Sequence, residues 1–262
     1  MTIEFNKYQG TGNDFVMLDN MQGDYNDLSI EEIQFLCDRK LGVGADGLIK
    51  LSSKRGFDFE VEYYNADGSQ SFCGNGARCS VAFAKSLGII TDKTQFYAID
   101  GAHKAHISEE GIVTLEMLKV TAFMELNNDY ITETGSPHYV RIYEQGEKVD
   151  IVKFGKSIRY SEMFEQEGIN VNALYVQGEN EIRVLTYERG VEDETLSCGT
   201  GVTACALVYI YENDNHSKQP IVVHTKGGSL SVKVGQFVKG EGFDDIWLSG
   251  PAKHVFNGIV DV

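Results

Sequence analysis

The sequence predicts an α+β protein of two pseudo-symmetric domains, each a strongly curved mixed sheet around one central buried helix. Three observations predict it. A motif repeats, because Cys73-Gly74-Asn75-Gly76-Ala77-Arg78-Cys79 opens an apolar stretch ending near Gly88, and Cys198-Gly199-Thr200-Gly201 opens another ending near Tyr211. The lead cysteines lie close to half of the 262-residue chain apart, the spacing of a duplicated unit. The second stretch carries Val202, Ala204, Cys205, Ala206, Leu207, Val208, Tyr209 and Ile210, apolar on nearly every face, so its helix must be enclosed. Most of the remainder reads as short strands between turn signals.

The elements follow in order. Strands are predicted over 15–19, 48–51, 57–64, 95–99, 113–117, 139–143, 181–187, 221–224, 229–234 and 245–248. Glu110-Gly111, Gln145-Gly146 and Lys226-Gly227-Gly228 punctuate them. A first helix starts at Ser29-Ile30-Glu31-Glu32, a capping box followed by Ile33, Leu36 and Cys37 on one face and stopped before Gly42. The two motif helices are expected over 76–87, with Gly88 as C-cap, and over 201–211. Ser161 to Gln166 is a short further helix that Gly168 ends. Joins near 118–125 and 249–252 divide the chain into an N-terminal domain, 1–118 with the returning tail 251–262, and a C-terminal domain, 119–250.

Composition bounds the function. Hydrophobic residues make up 42% and charged residues 24%, with 3 prolines, which excludes a disordered or collagen-like chain. A net charge of −16 argues against nucleic acid as a partner, since binding phosphate backbones needs clustered cations. Small anions need only a local nest of backbone N–H groups. The apolar run 204–211 is too short to cross a bilayer, and nothing near Met1 reads as a signal peptide, so no membrane association and a cytoplasmic address are expected. Five cysteines in a reducing compartment read as thiols.

Both motifs place Cys-Gly-x-Gly directly ahead of a helix. The glycines let the backbone turn tightly and approach a ligand, and the first N–H groups of the helix lack intrahelical acceptors. Cys73 and Cys198 therefore each sit beside an anion nest that can lower a thiol pKa or hold a carboxylate. Two such thiols facing one site across a domain interface suit a carbon that loses a proton on one face and gains one on the other. Cys37, Cys79 and Cys205 read as buried hydrophobes. Metal binding by the two thiols with His138, His224 or His254 matches no standard zinc spacing. A Cys73 and Cys198 redox couple stays open as an alternative. Arg78 reads as a helix-surface or interdomain charge, and the remaining histidines read as turn or surface residues.

The ordered set Gly10-Thr11-Gly12-Asn13-Asp14-Phe15, Gly42-Val43-Gly44-Ala45-Asp46-Gly47, Tyr64-Asn65-Ala66-Asp67-Gly68, the Cys73 motif, Gly135-Ser136-Pro137-His138, Asn170-Val171-Asn172, Tyr187-Glu188-Arg189-Gly190 and the Cys198 motif resembles the diaminopimelate epimerase family over the whole chain. The resemblance implies interconversion of LL- and meso-2,6-diaminoheptanedioate by a two-cysteine, two-base mechanism in a cleft between two domains. It implies no pyridoxal phosphate, no metal and a homodimer. It makes Cys73 and Cys198 the proton-transfer residues, and has Glu188 and His138 contact the reacting amino group and tune the thiols. It assigns the distal end of the substrate to Asn13, Asn65, Asn170 and Arg189, and further contacts to Gly74, Asn75, Gly199 and Thr200. Ser136 departs from the Asn found in many members, so its hydroxyl is a substrate contact of a different kind. Gly47 is a second departure. Competing readings are another amino-acid racemase on the same scaffold, and a binding module or redox sensor without turnover.

Overall fold

The computed structural model describes residues 1–121, 123–213 and 219–262; Ala122 in the expected join and His216 lie outside the described residues. The chain divides into two compact units, residues 1–115 with 250–262 and residues 116–249.

The first unit contains β1 (Thr2–Gly10), β2 (Asn13–Asn20), α1 (Ile30–Cys37), β3 (Gly47–Ser52), β4 (Phe59–Asn65), α2 (Gly74–Ser86), β5 (Lys93–Ala98), β6 (Gly101–Ile107) and β7 (Ile112–Met117), the last running over the boundary. The second contains β8 (Phe123–Leu126), β9 (Asp129–Glu133), β10 (Pro137–Tyr143), α3 (Ile151–Arg159), β11 (Asn170–Gly178), β12 (Glu181–Glu188), β13 (Asp193–Thr195), α4 (Gly199–Glu212), β14 (Ile221–Thr225), β15 (Gly228–Val238) and β16 (Gly242–Pro251), the last again running over the boundary. The tail forms β17 (Lys253–Asp261), which returns to the first unit antiparallel to β1.

Each ladder mixes parallel and antiparallel neighbours, and the two repeat one order of relations. Strands β1 to β7 pair antiparallel, parallel, antiparallel, parallel, antiparallel and antiparallel in turn. The same series links β9, β10, β11, β12, β14, β15 and β16. A helix fills each parallel crossover: α1 and α3 in the first of each series, α2 and α4 in the second. β17 flanks β1 as β8 flanks β9, both antiparallel.

The expected strong curvature is not found. These are mixed α+β sheets that are not strongly curved. Curling a sheet takes bulges or glycine kinks. Among the described ladders, register shifts only between Lys7 and Tyr8 and between Val176 and Gly178.

α1 begins as its sequence dictates: Ser29 Oγ accepts from the Glu32 N–H while the Glu32 carboxylate accepts from the Ser29 N–H. Its buried Ile33, Leu36 and Cys37 join Ile3, Phe5, Val16 and Leu18 in one core cluster. α4 is enclosed over its middle, with Val202 to Ile210 all buried among Val140, Leu174, Val223, Val232 and Leu248. Residues 161–166 form turns, and the helix lies just before them as α3, whose N-cap Asp150 accepts from the Lys153 N–H. Among the described residues no helix is long and apolar enough to cross a membrane.

Gly155 of α3 lies against the ring of fully buried Tyr187, so a Cβ added there would stand 2.3 Å from Tyr187 Cγ. Gly155→Ala should therefore lower stability by about 1 to 3 kcal/mol, overpacking outweighing the gain in helix propensity. Denaturant unfolding measures this, and an unchanged or raised midpoint would contradict it.

Candidate active site

Cys73 and Cys198 occupy the N-cap positions of α2 and α4 with nearly the same backbone, φ −131°, ψ 113° against φ −117°, ψ 114°. In each helix the first intrahelical bond comes from the fourth residue on: Ala77 N–H to Cys73 O, Val202 N–H to Cys198 O, both at 2.8 Å. The N–H groups of residues 74–76 and 199–201 thus have no acceptor one turn back. Gly76 N–H donates to Cys73 Sγ at 3.5 Å. None of the motif glycines has a positive φ. The fourth-position glycines are there for packing, since a Cβ on Gly76 would meet Ile49 at 3.0 Å and one on Gly201 would meet Asn172 Oδ1 at 2.7 Å. Gly74 opens onto empty space.

In the first unit the structure brings Asn13, Cys73 and Asn75 together. Asn13 Oδ1 accepts from Asn75 Nδ2 at 3.3 Å and from the Cys73 thiol at 3.5 Å, and its Nδ2 donates to Asp46 at 2.6 Å. Behind Asn13, Arg39 bridges Asp14 and Asp46, and Lys7 pairs with Asp14. Burial works to raise the Asp14 pKa, but hydrogen bonds from Arg39 and Lys7 prevail and hold it at about 2. Asn65 stands apart in its own turn: Tyr63 donates to its Oδ1, and its Nδ2 donates to Ser69 and Ser71.

Arg78 corrects the surface reading, because it is fully buried. Its guanidinium donates to Asn75 Oδ1 at 2.8 Å, Thr11 Oγ1 at 3.1 Å and Gly74 O at 3.4 Å. Engaging Asn75 Oδ1 leaves Asn75 Nδ2 for Asn13. The signal was in the sequence: Arg78 stands between Ala77 and Cys79 in a helix with few other polar positions. Burial pushes the Cys37 thiol up to about 11, Cys79 to about 12 and Cys205 well upward, so these three stay protonated and serve as packing.

The second unit gathers Ser136, His138, Asn170, Cys198 and Thr200. Cys198, 7% exposed, meets the Thr200 hydroxyl at 3.3 Å. Thr200 Oγ1 and Ser136 Oγ lie 2.9 and 3.0 Å from His138 Nε2, and 3.0 Å from each other. Asn170 Nδ2 donates to Ser136 Oγ at 3.1 Å, and its Oδ1 accepts from the Arg189 N–H at 2.9 Å. Arg189 Nη1 donates to Glu167 O at 2.8 Å. Glu188 is half-buried at the end of β12, one residue before Arg189. Burial, reinforced by the Arg189 charge, pushes His138 down to about 3, so its imidazole is neutral at physiological pH. Thr134, Asn172 and Thr186 belong to this cluster although the sequence singled out none as a site residue. Asn170 and Asn172, two apart on one face of an otherwise apolar strand, were the available signal.

Among the described residues no group of three or more His, Cys, Asp or Glu is arranged to hold a metal ion. His224 pairs with Glu181 and Ser229, and His254 meets the ring of Tyr8.

Known proteins resemble this chain over nearly its whole length. The diaminopimelate epimerase family model matches residues 5–121 and 130–252. A diaminopimelate epimerase of Flavobacterium psychrophilum is 46% identical over 95% of this chain and 97% of its own. One from Chlorobaculum tepidum is 37% identical over 96% and 98%. Among solved structures, a phenazine biosynthesis protein of Bacillus anthracis superposes with a TM-score of 0.77 at 15% identity, covering 100% of both chains. A hydroxyproline epimerase of Agrobacterium vitis gives 0.72 at 14% identity, covering 99% of this chain and 91% of its own. At such identities these two establish the fold alone. The match over nearly the full length of both chains at 46% identity decides the family: the chain belongs to the diaminopimelate epimerases, isomerases that convert LL-diaminopimelate into the meso form.

Proposed function

We propose that Cys73 and Cys198 are the two acid/base groups of this reaction and act on opposite faces of one α-carbon. One thiolate removes the α-proton, the electron pair stays on the substrate as a carbanion, and the other thiol delivers a proton from the opposite side. The enzyme is left with the protonation states of its two sulfurs exchanged. The observation that carries the reading is the repetition itself: two cysteines of matching backbone at the N-termini of two helices in matching ladders. The N–H groups of residues 74–76 and 199–201, including those of Gly74, Asn75, Gly199 and Thr200, bind the α-carboxylate and stabilise charge as it spreads from the carbanion.

His138 and Glu188 serve the reacting amino group. A neutral His138, its two ring nitrogens engaged by Asn172 and by the Thr200 and Ser136 hydroxyls, acts by tuning the thiol and is not a competing base. Asn13, Asn65, Asn170 and Arg189 hold the distal amino-acid group, whose charges would be costly to bury unpaired. Ser136 acts in the same region through its hydroxyl. The two units are the two epimerase-like halves of a duplicated chain. The enzyme works without pyridoxal phosphate or metal, in the cytoplasm, where its thiols stay reduced. It is a homodimer, and β17, with Val255 and Ile259 exposed, supplies apolar contacts for that association.

Purified, reduced enzyme with chelator and no pyridoxal phosphate should epimerise LL-diaminopimelate, incorporate deuterium at one α-carbon in heavy water, and sediment at about twice 29.1 kDa. Activity lost on metal removal and restored by zinc would sink the two-thiol reading, and a monomer would remove the dimer. Arg189→Lys replaces a planar fork with a point charge, so kcat/KM for diaminopimelate should fall roughly tenfold to a hundredfold, an estimate of 1.4 to 3 kcal/mol for one charge-assisted pair. An α-amino acid of similar length lacking the distal group should be less affected. Equal losses on both substrates would take Arg189 out of distal recognition.

A further inference from the structure

The Cys198 cluster contains more hydrogen than it can use internally, and Asn172 decides where the surplus goes. Asn172 is fully buried on β11. Its Nδ2 lies 3.0 Å from the Tyr139 carbonyl oxygen, which can only accept, so this end of the amide is the NH2 group. Thr186 Oγ1 donates to the other end, Oδ1, at 2.9 Å. The second hydrogen of the same NH2 points at His138 Nδ1, 3.0 Å away. Nδ1 must therefore accept. A neutral imidazole with an accepting Nδ1 carries its proton on Nε2.

We propose that Asn172, fixed by Thr186 and the Tyr139 carbonyl, is a positioning residue that locks His138 as the Nε2–H tautomer and thereby turns the Thr200 hydroxyl toward the Cys198 sulfur. Two donors feed the pair of hydroxyls from outside, His138 Nε2–H and Asn170 Nδ2. One hydroxyl proton lies between Ser136 Oγ and Thr200 Oγ1. With that proton supplied by Ser136, the Thr200 proton cannot return to the ring, because Nε2 already bears hydrogen, and the Cys198 sulfur at 3.3 Å from Thr200 Oγ1 accepts it. The hydrogen bond so delivered stabilises the thiolate form of Cys198. With the opposite tautomer, Nε2 would take a hydroxyl proton and the sulfur would lose it.

Several neighbours hold this arrangement in place. Thr134 Oγ1 donates to the Thr200 carbonyl at 2.9 Å, fixing the start of α4. Gly201 is glycine because a Cβ there would stand 2.7 Å from Asn172 Oδ1 and 3.2 Å from His138 Cε1. The helix can approach the histidine and its amide only through that gap. The inference rests on Cys198 being an acid/base thiol, but the state of His138 is measurable without turnover.

Nitrogen NMR of histidine-labelled enzyme tests it. His138 should give one signal set that does not titrate between about pH 5 and 8, with a bare Nδ1 and a protonated Nε2. Asn172→Asp replaces the donor with an acceptor, so a proton should appear on Nδ1, in a neutral or a charged ring. Thr186→Val keeps the shape, frees Asn172 Oδ1, and should give a mixture of tautomers. Peptide mapping of iodoacetamide labelling should show Cys198 in Asn172→Asp alkylated about tenfold more slowly at pH 7, one pKa unit for one lost hydrogen bond, with Cys73 unchanged. A protonated Nδ1 in the unaltered enzyme, or a bare Nδ1 and unchanged Cys198 labelling in both variants, would overturn the proposal. Loss of epimerase activity with these signatures intact would instead strike at the two-thiol reading.

Discussion

The N–H groups in the first turn of an α-helix have no carbonyl one turn back to accept from them. That constraint governs the active-site chemistry. α4 is apolar on nearly every side and must be enclosed, and the first turn of α2 is buried from Asn75 onward. Each helix begins with a cysteine, and three N–H groups follow it before the ladder closes. A sulfur at that position sits in the positive end of the helix dipole, and an anionic substrate group placed there would meet backbone donors and that positive end together. Packing and chemistry thus pose the same requirement at the same residues.

The surroundings of the two thiols differ in kind. Cys73 is backed by charge: the buried Arg78 orders Asn75, and Asn75 together with the Asp14, Arg39 and Asp46 network orders Asn13. Cys198 is backed by neutral groups: hydroxyls, an imidazole kept uncharged by burial, and amides. Both arrangements also hold the groups beside the sulfur from behind, with the buried Arg78 on Asn75 and the buried Asn172 on His138. The common plan of the ladders places these groups alike, with Asn13 and His138 near the starts of equivalent strands and Asn65 and Glu188 at the ends of another equivalent pair.

Much of this was legible in the sequence where a residue has few alternatives. Ser29 and Glu32 can cap only a helix, and the run from Val202 to Ile210 admits only an enclosed one. The repeated Cys-Gly-x-Gly marked two helix starts, and each begins at its cysteine. What escaped had weak or misleading local signals. β17 leaves most of its residues exposed, so its alternation carried no hydrophobic signature, and β6 alternates small residues with lysine and histidine. Arg78 has the composition of a surface residue and the position of a core one. Asn172 had the right period but no chemistry of its own, because it acts on His138 and not on a substrate. Sheet curvature depends on bulges that leave no mark in hydrophobic pattern, and there the expectation failed.

The two-thiol account is tested most directly by the stereochemistry of exchange in the single variants Cys73→Ala and Cys198→Ala. Each should lose nearly all net epimerisation, since the two groups act as a unit and their losses do not add. Each retained thiol should still remove a proton from the configuration that faces it and return deuterium to the same side. In heavy water the two variants should therefore label opposite configurations of the reacting α-carbon with little inversion. Exchange of the same configuration by both variants, or normal epimerisation by either, would contradict the assignment of one thiol to each face.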